Sequence, residues 1–294
     1  MGPMIPVARS GGVNIYCPTD GRYAFYNSPY PAHRLMTGID VYPNSTIDES
    51  MPSPINGEVI QVRRVKAPSG HGFKAPEFDV ITIIRSRDDQ LRIIKVLHVD
   101  TEIGEGESIQ VGQSMGPLIR SGYFGYQTSL HAHIEVRPLG DPLRVRGGYP
   151  INSLFDLKNL KLTTAITGTV VTSRPGYAMI KLNLDTPGIV ADVGGTLGIL
   201  DGGIPIYGWF GLHAENPIEG VSVKLLDKTI GRTTNVAPRT CVAECTDFKV
   251  MFGSASVDAF FMLLPSGKPT IAMTSRRHEE LNLSQGGEVS LAIE

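Results

Sequence analysis

Short runs of β-branched residues, each closed by glycine, proline or a small polar residue, constrain the fold of this chain more than any other feature. Asp79-Val80-Ile81-Thr82-Ile83-Ile84 and Leu91-Arg92-Ile93-Ile94-Lys95-Val96-Leu97-His98 are too short and too branched for helices, and Glu58-Val59-Ile60-Gln61-Val62 belongs with them. Few stretches carry a helical period. The 33 glycines and 21 prolines serve mostly as turn punctuation between such runs, one supplying positive φ and the other presetting φ at turn corners. The expected fold class is therefore mainly β. A length of 294 residues exceeds what a single core usually organises, which predicts two or three domains. A β domain over 1–150 ends where Gly147-Gly148-Tyr149-Pro150 breaks the pattern, and Ile151-Asn152-Ser153-Leu154-Phe155-Asp156-Leu157 reads as a short helix capped by Asn152 or Ser153. A second β region follows over 160–294. Its strands include Gly168–Thr172 and Tyr177–Leu182, and it divides into two small barrels at about 160–227 and 228–294. Gly194-Gly195-x-x-Gly198 lacks the strand-to-helix context that a phosphate loop requires.

Composition removes several functional classes. A formal net charge of −2 gives no overall pull toward nucleic acid or anionic membrane, and Arg144-Val145-Arg146 is a short, solvated pair of charges. Three cysteines, Cys17, Cys241 and Cys245, are too few for a disulfide framework and read as reduced, partly buried thiols. Met1-Gly2-Pro3-Met4-Ile5-Pro6 has no charged stretch followed by a long apolar core, and Pro6 stands where a myristoylation signal needs Ser or Thr. The longest apolar run, Ala259–Leu264, is far too short for a membrane helix. The expectation is a cytoplasmic protein with no membrane or nucleic-acid partner, self-association being left open. His71, in the loop Ala67–Pro76, reads as solvated or as rimming a cleft.

The chemistry concentrates in His131-Ala132-His133-Ile134-Glu135-Val136-Arg137. Two histidines at i and i+2 project from one face of a strand. With a carboxylate from a neighbouring strand, for which Asp40 is the candidate, they suit a Zn²⁺ site with a position open to water. His98, ending the run Val96-Leu97-His98, reads on its own as a strand histidine satisfied by backbone.

In order, Met36-Thr37-Gly38-Ile39-Asp40-Val41, Pro54-Ile55-Asn56-Gly57-Glu58-Val59, Val96-Leu97-His98, Gly112-Gln113-Ser114-Met115-Gly116 and His131–Arg137 resemble the lysostaphin-type zinc metallopeptidases over residues 30–140. That family carries His-x-Gly-x-Asp, a Pro before an x-x-Gly-x-Val hairpin, a lone His, a Gly-Gln-x-Ile-Gly segment and a closing His-x-His-φ-Glu-φ. The resemblance implies an antiparallel β-sheet peptidase domain, Asp40 and His133 as zinc ligands, His98 and His131 holding water or the transition-state oxyanion, and a peptide or glycan-peptide ligand. Met36 departs from it, standing where the family has its first metal histidine. A thioether is a poor partner for Zn²⁺, so three readings stay open: an empty site on a binding scaffold for peptide, glycan or protein; a metal held by Asp40 and His133 alone; or His33 in place of Met36. On a regular strand His33, at odd separation from Asp40, would face the other way, although Pro29 and Pro31 point to loop. Glu102–Gln113 also has the cadence of biotinyl and lipoyl carrier barrels, but Lys95 lies inside an apolar strand rather than at a hairpin tip.

Lys268–Ile293 resembles the closing strands of molybdate-binding-type small barrels, which implies oxyanion (molybdate or tungstate) contacts at Thr274, Ser275 and Arg276. Read without the resemblance, Leu281 and Leu283 pack and Gly286-Gly287 turns.

Overall fold

The computed structural model describes residues 2–43, 50–70, 72–126, 128–253, 255–265, 268–275, 281 and 283–294, and strand dominates it. His71 and Arg276 lie outside the described residues. Two compact units emerge, Met1–Tyr23 with Tyr30–Leu154, and Ala24–Pro29 with Phe155–Glu294.

The first unit contains β1 (Met4–Ser10), β2 (Val13–Pro18), all but the last residue of β3 (Arg22–Ala24), α1 (Pro31–Arg34), β4 (Ile39–Tyr42), β5 (Ser50–Pro52), β6 (Gly57–Lys66), β7 (Phe78–Ser86), β8 (Arg92–Leu97), β9 (Ser108–Ile109), β10 (Ser114–Pro117), β11 (Ala132–Pro138) and β12 (Ile151–Ser153). The β-branched runs become β6, β7 and β8. They belong to an antiparallel path β9-β6-β7-β8-β11-β4. Ile83, Ile84, Ile93, Ile94, Val96, Ile134 and Val136 are buried on it, each side chain contributing roughly 1.5–3 kcal/mol.

Register then assembles the site. β11 runs between β4 and β8, with His133 opposite Asp40 on one side and Leu97, the residue before His98, on the other. Glu135 lies opposite Lys95. His131 sits one residue before β11, two before His133.

The expected helix at Ile151–Leu157 is instead the strand β12, which pairs with β1 through Ala8↔Ser153, Arg9↔Asn152 and Ser10↔Ile151. The open edge of β1 satisfies these backbone groups, which outweighs a local capping signal.

The second unit holds β13 (Ile166–Arg174), β14 (Tyr177–Leu182), β15 (Val190–Val193), β16 (Thr196–Asp201), β17 (Gly203–Ile204), β18 (Trp209–Ala214), β19 (Ser222–Leu225), β20 (Lys228–Ala237), β21 (Thr240–Cys245), β22 (Val250–Phe252), β23 (Ala255–Val257), β24 (Ala259–Pro265), β25 (Thr270–Thr274) and β26 (Glu288–Ile293). Six of them close a barrel in the order β15-β16-β18-β21-β20-β19, and β23-β22-β26-β13-β14-β25-β24 form a sheet. The expected division at 227/228 falls inside the β19–β20 hairpin, where Leu225 pairs with Lys228. Leu226 and Asp227 both have positive φ, 48° and 64°. That is the backbone of a two-residue hairpin turn without the Asn-Gly signature that usually announces one, and it carries the chain across 227/228 within one closed barrel.

No described helix is long and apolar enough to cross a membrane.

Candidate metal centre

Asp40 leaves the middle of β4 buried, 1% exposed, into a ring of imidazoles. His133 Nδ1 is 2.9 Å from Asp40 Oδ1, His33 Nε2 is 3.4 Å from the same oxygen, and His131 Nε2 is 3.6 Å from Oδ2. One donor atom from each of His33, Asp40 and His133 lies within 4.8 Å of the others. A tetrahedral zinc ion with bonds of about 2.0–2.1 Å separates its ligand atoms by about 3.3 Å. The two oxygen-to-nitrogen separations bracket that edge and the two nitrogens lie within 4.8 Å of each other, so the donor set fits such an ion in type and along its two oxygen-to-nitrogen edges.

His33 reaches the site because its segment is helical. Pro31 starts α1, where a missing N–H costs nothing, and Met36 N and Thr37 N donate back to His33 O and Ala32 O at 3.0 and 2.8 Å. The alternation argument against His33 presumed a strand and does not apply to this turn. Met36 lies in the left-handed turn that ends it, at φ 61°, three residues short of β4, so the imidazole beside Asp40 comes from His33. Gly38 is required here for space: a Cβ would come 2.6 Å from His133 Cε1.

Behind His133 stands a charge network that sequence reading left without a role. His133 Nε2 is 3.4 Å from Glu135 Oε1, which also accepts from Lys95 Nζ at 2.9 Å, while Arg137 Nη1 donates to Glu135 Oε2 at 2.6 Å. All four side chains are buried. Their legible signal was a lysine and a glutamate at facing positions of two otherwise apolar strands.

Burial by itself would raise the Asp40 carboxyl, but the histidines around it, His33 foremost, outweigh that and hold it well below the usual carboxylate range. For His133, burial opposes charge, yet Asp40 and Glu135 prevail and push it up to about 9. His131 goes the other way, down to about 4, because its burial outweighs the attraction of Asp40. Glu135 falls to about 2 against its burial, through His133 and Lys95.

Hydrogen bonds assign the two remaining rings. His131 Nδ1 lies 2.9 Å from the Ser129 carbonyl, which can only accept, so Nδ1 carries the proton and Nε2 presents a lone pair toward Asp40 Oδ2. Two acceptors thus face each other across 3.6 Å, a gap suited to a cation or a water. His98 Nδ1 is 2.6 Å from Asp79 Oδ2, and its ring meets His131 edge-on at 5.5 Å. Phe124 stacks on His131 at 4.4 Å and 14°. Asp79, Ser121 and Phe124 carried no recognisable motif. The structure therefore groups Asp40, His131, His133, His98 and His33 in one buried cluster of the first unit.

Residues 14–153, which include every residue of this cluster, are similar to a family described as "Domain of unknown function (DUF8155) N-terminal domain". No curated protein and no solved structure matches the chain.

In the second unit Thr274 ends β25 and, with Ser275, is buried. All three cysteines are free thiols, Cys17 and Cys241 buried.

Proposed function

We propose that the first unit is a zinc-dependent hydrolase of peptide or amide bonds, with His33, Asp40 and His133 as protein ligands and His131 and His98 as the groups that exchange protons. The observation that carries this reading is the buried donor triad of two imidazoles and one carboxylate, both nitrogens within 3.4 Å of one carboxylate oxygen, the ligand count of catalytic zinc sites that keep a position for water. Glu135 on the far nitrogen of His133 supplies the outer carboxylate that metal-bound histidines usually have, directing the Nδ1 lone pair inward. Bound zinc would supply a Lewis acid and a water acidified to about pH 7. His131 and His98 would then orient that water, take its proton and return it to a leaving amine.

A second reading has its own support. In the absence of metal the His133 proton is held between Asp40 and Glu135, so charge in the cluster is balanced without an ion, and the same face would serve a peptide- or glycan-binding scaffold.

Metal analysis of protein purified without chelator or histidine tag, followed by zinc titration of wild type, H33A and D40N, separates the two. The hydrolase reading expects about one zinc per chain, lost in both variants. Absence of uptake by wild-type protein at alkaline pH, where the His133 proton competes least, would refute it.

A further inference from the structure

We propose that Asp79 is the positioning residue of this site: it locks His98 in the tautomer that carries its proton on Nδ1 and leaves the Nε2 lone pair for proton exchange. The inference rests on the hydrolase reading for the use of that lone pair, though not for the tautomer itself.

Asp79 Oδ2 lies 2.6 Å from both His98 Nδ1 and Ser121 Oγ, and Oδ1 accepts from the backbone N–H of Val80 at 2.7 Å. These contacts outweigh burial and lower the Asp79 carboxyl, leaving it ionised at neutral pH. An ionised carboxylate only accepts, so in the neutral ring the His98 proton sits on Nδ1. The serine is engaged elsewhere: its Oγ donates to Asp79 and accepts from Tyr123 N–H at 3.3 Å, so Ser121 braces the carboxylate. No described residue hydrogen-bonds His98 Nε2.

The backbone is committed to this arrangement as well. His98 is held at φ 71°, a left-handed conformation that L residues visit at a cost and that clusters at functional sites. Its carbonyl accepts from Ile119 N at 2.8 Å, and the next residue bridges to Leu118. The ring is edge-on to Phe124 at 4.8 Å and to His131 at 5.5 Å. A buried carboxylate on β7, a strained histidine just past the end of its paired neighbour β8 and a bracing hydroxyl from a loop thus converge.

The Val80 bond makes the test directional. In D79N the retained carbonyl oxygen stays with Val80 N–H, so the new amide nitrogen faces His98 Nδ1 and Ser121 Oγ. Being a donor, it forces the His98 proton to Nε2. Imidazole ¹H–¹⁵N correlation spectra at alkaline pH, recorded without metal on wild type, S121A and D79N, read this directly. The Nδ1–H signature of His98 is expected in wild type and S121A, and its loss to Nε2–H in D79N, while His131 stays Nδ1–H in all three. A wild-type His98 in the Nε2–H form, or an unchanged tautomer in folded D79N, overturns the proposal. Should D79N not fold, the wild-type spectrum decides alone. Zinc uptake is scored separately on wild type: uptake with the wrong tautomer overturns the role of Asp79 and spares the metal reading, whereas the expected tautomer without uptake supports Asp79 and refutes the hydrolase.

Discussion

Removing metal should give this protein a stability maximum near pH 6.5, set by two neighbouring histidines that respond to burial in opposite directions. His133 rises from 6.5 to about 9 in the fold. The folded state therefore holds a proton the unfolded state releases, so its contribution is complete below pH 6.5 and is lost as pH climbs through 9. His131 falls from 6.5 to about 4, so the unfolded state takes up a proton the folded state refuses, and stability drains away as pH falls from 6.5 to 4. At about 1.4 kcal/mol for each pH unit between the folded and unfolded values, each limb costs about 3–4 kcal/mol. Asp40 adds further loss below about pH 3.8, where its lowered carboxyl begins to demand its charge. Urea denaturation with EDTA across pH 4–9 measures the profile. H133Q should flatten the alkaline limb and H131Q the acid one. Zinc, which replaces the His133 proton, should abolish the alkaline loss and add its own linkage free energy. A profile flat between pH 6.5 and 9 in EDTA, or an alkaline limb that survives H133Q, would refute the assignment of His133 as a proton-holding bridge between two carboxylates.

Further outcomes follow from single contacts. E135Q should weaken zinc binding about 10–100-fold by titration calorimetry, since it disturbs the outer partner of His133; an unchanged affinity would remove Glu135 from the site. K95M takes a buried donor from Glu135 and should cost about 2 kcal/mol in chemical denaturation, and a neutral result would mean Arg137 alone satisfies the carboxylate. G38A places a methyl 2.6 Å from a ring pinned by two carboxylates, so a loss of about 1–3 kcal/mol together with weaker zinc uptake is expected; retention of both would show that His133 is free to move. Zinc affinity itself should rise about tenfold per pH unit from neutrality toward pH 9 as the His133 proton is displaced, and a pH-independent affinity would place the ion elsewhere.

Much of the site was legible because it depends on strand period alone. Two residues apart on a strand means the same face, so His131 and His133 had to project together wherever that strand was built, and the order of the surrounding motifs brought Asp40 into consideration. The β class was equally local, carried by branched runs and turn residues. The reading failed where local signals compete with non-local pairing, as at Ile151–Ser153, drawn into a strand by the edge of β1, and at Leu226-Asp227, a hairpin turn in unusual residues.

Which histidine completes the triad, and what stands behind each ring, was decided only by tertiary structure. His33 enters because one helical turn before β4 rotates it inward, a matter of backbone path that spacing from Asp40 misjudges. Asp79, Ser121, Lys95 and Glu135 acquire their roles from a register joining positions 19 to 42 residues apart, and pairings across such separations are set by the packing of the whole sheet. Amino-acid order thus determined which side chains share a strand face; only the folded chain determined which of them share a proton.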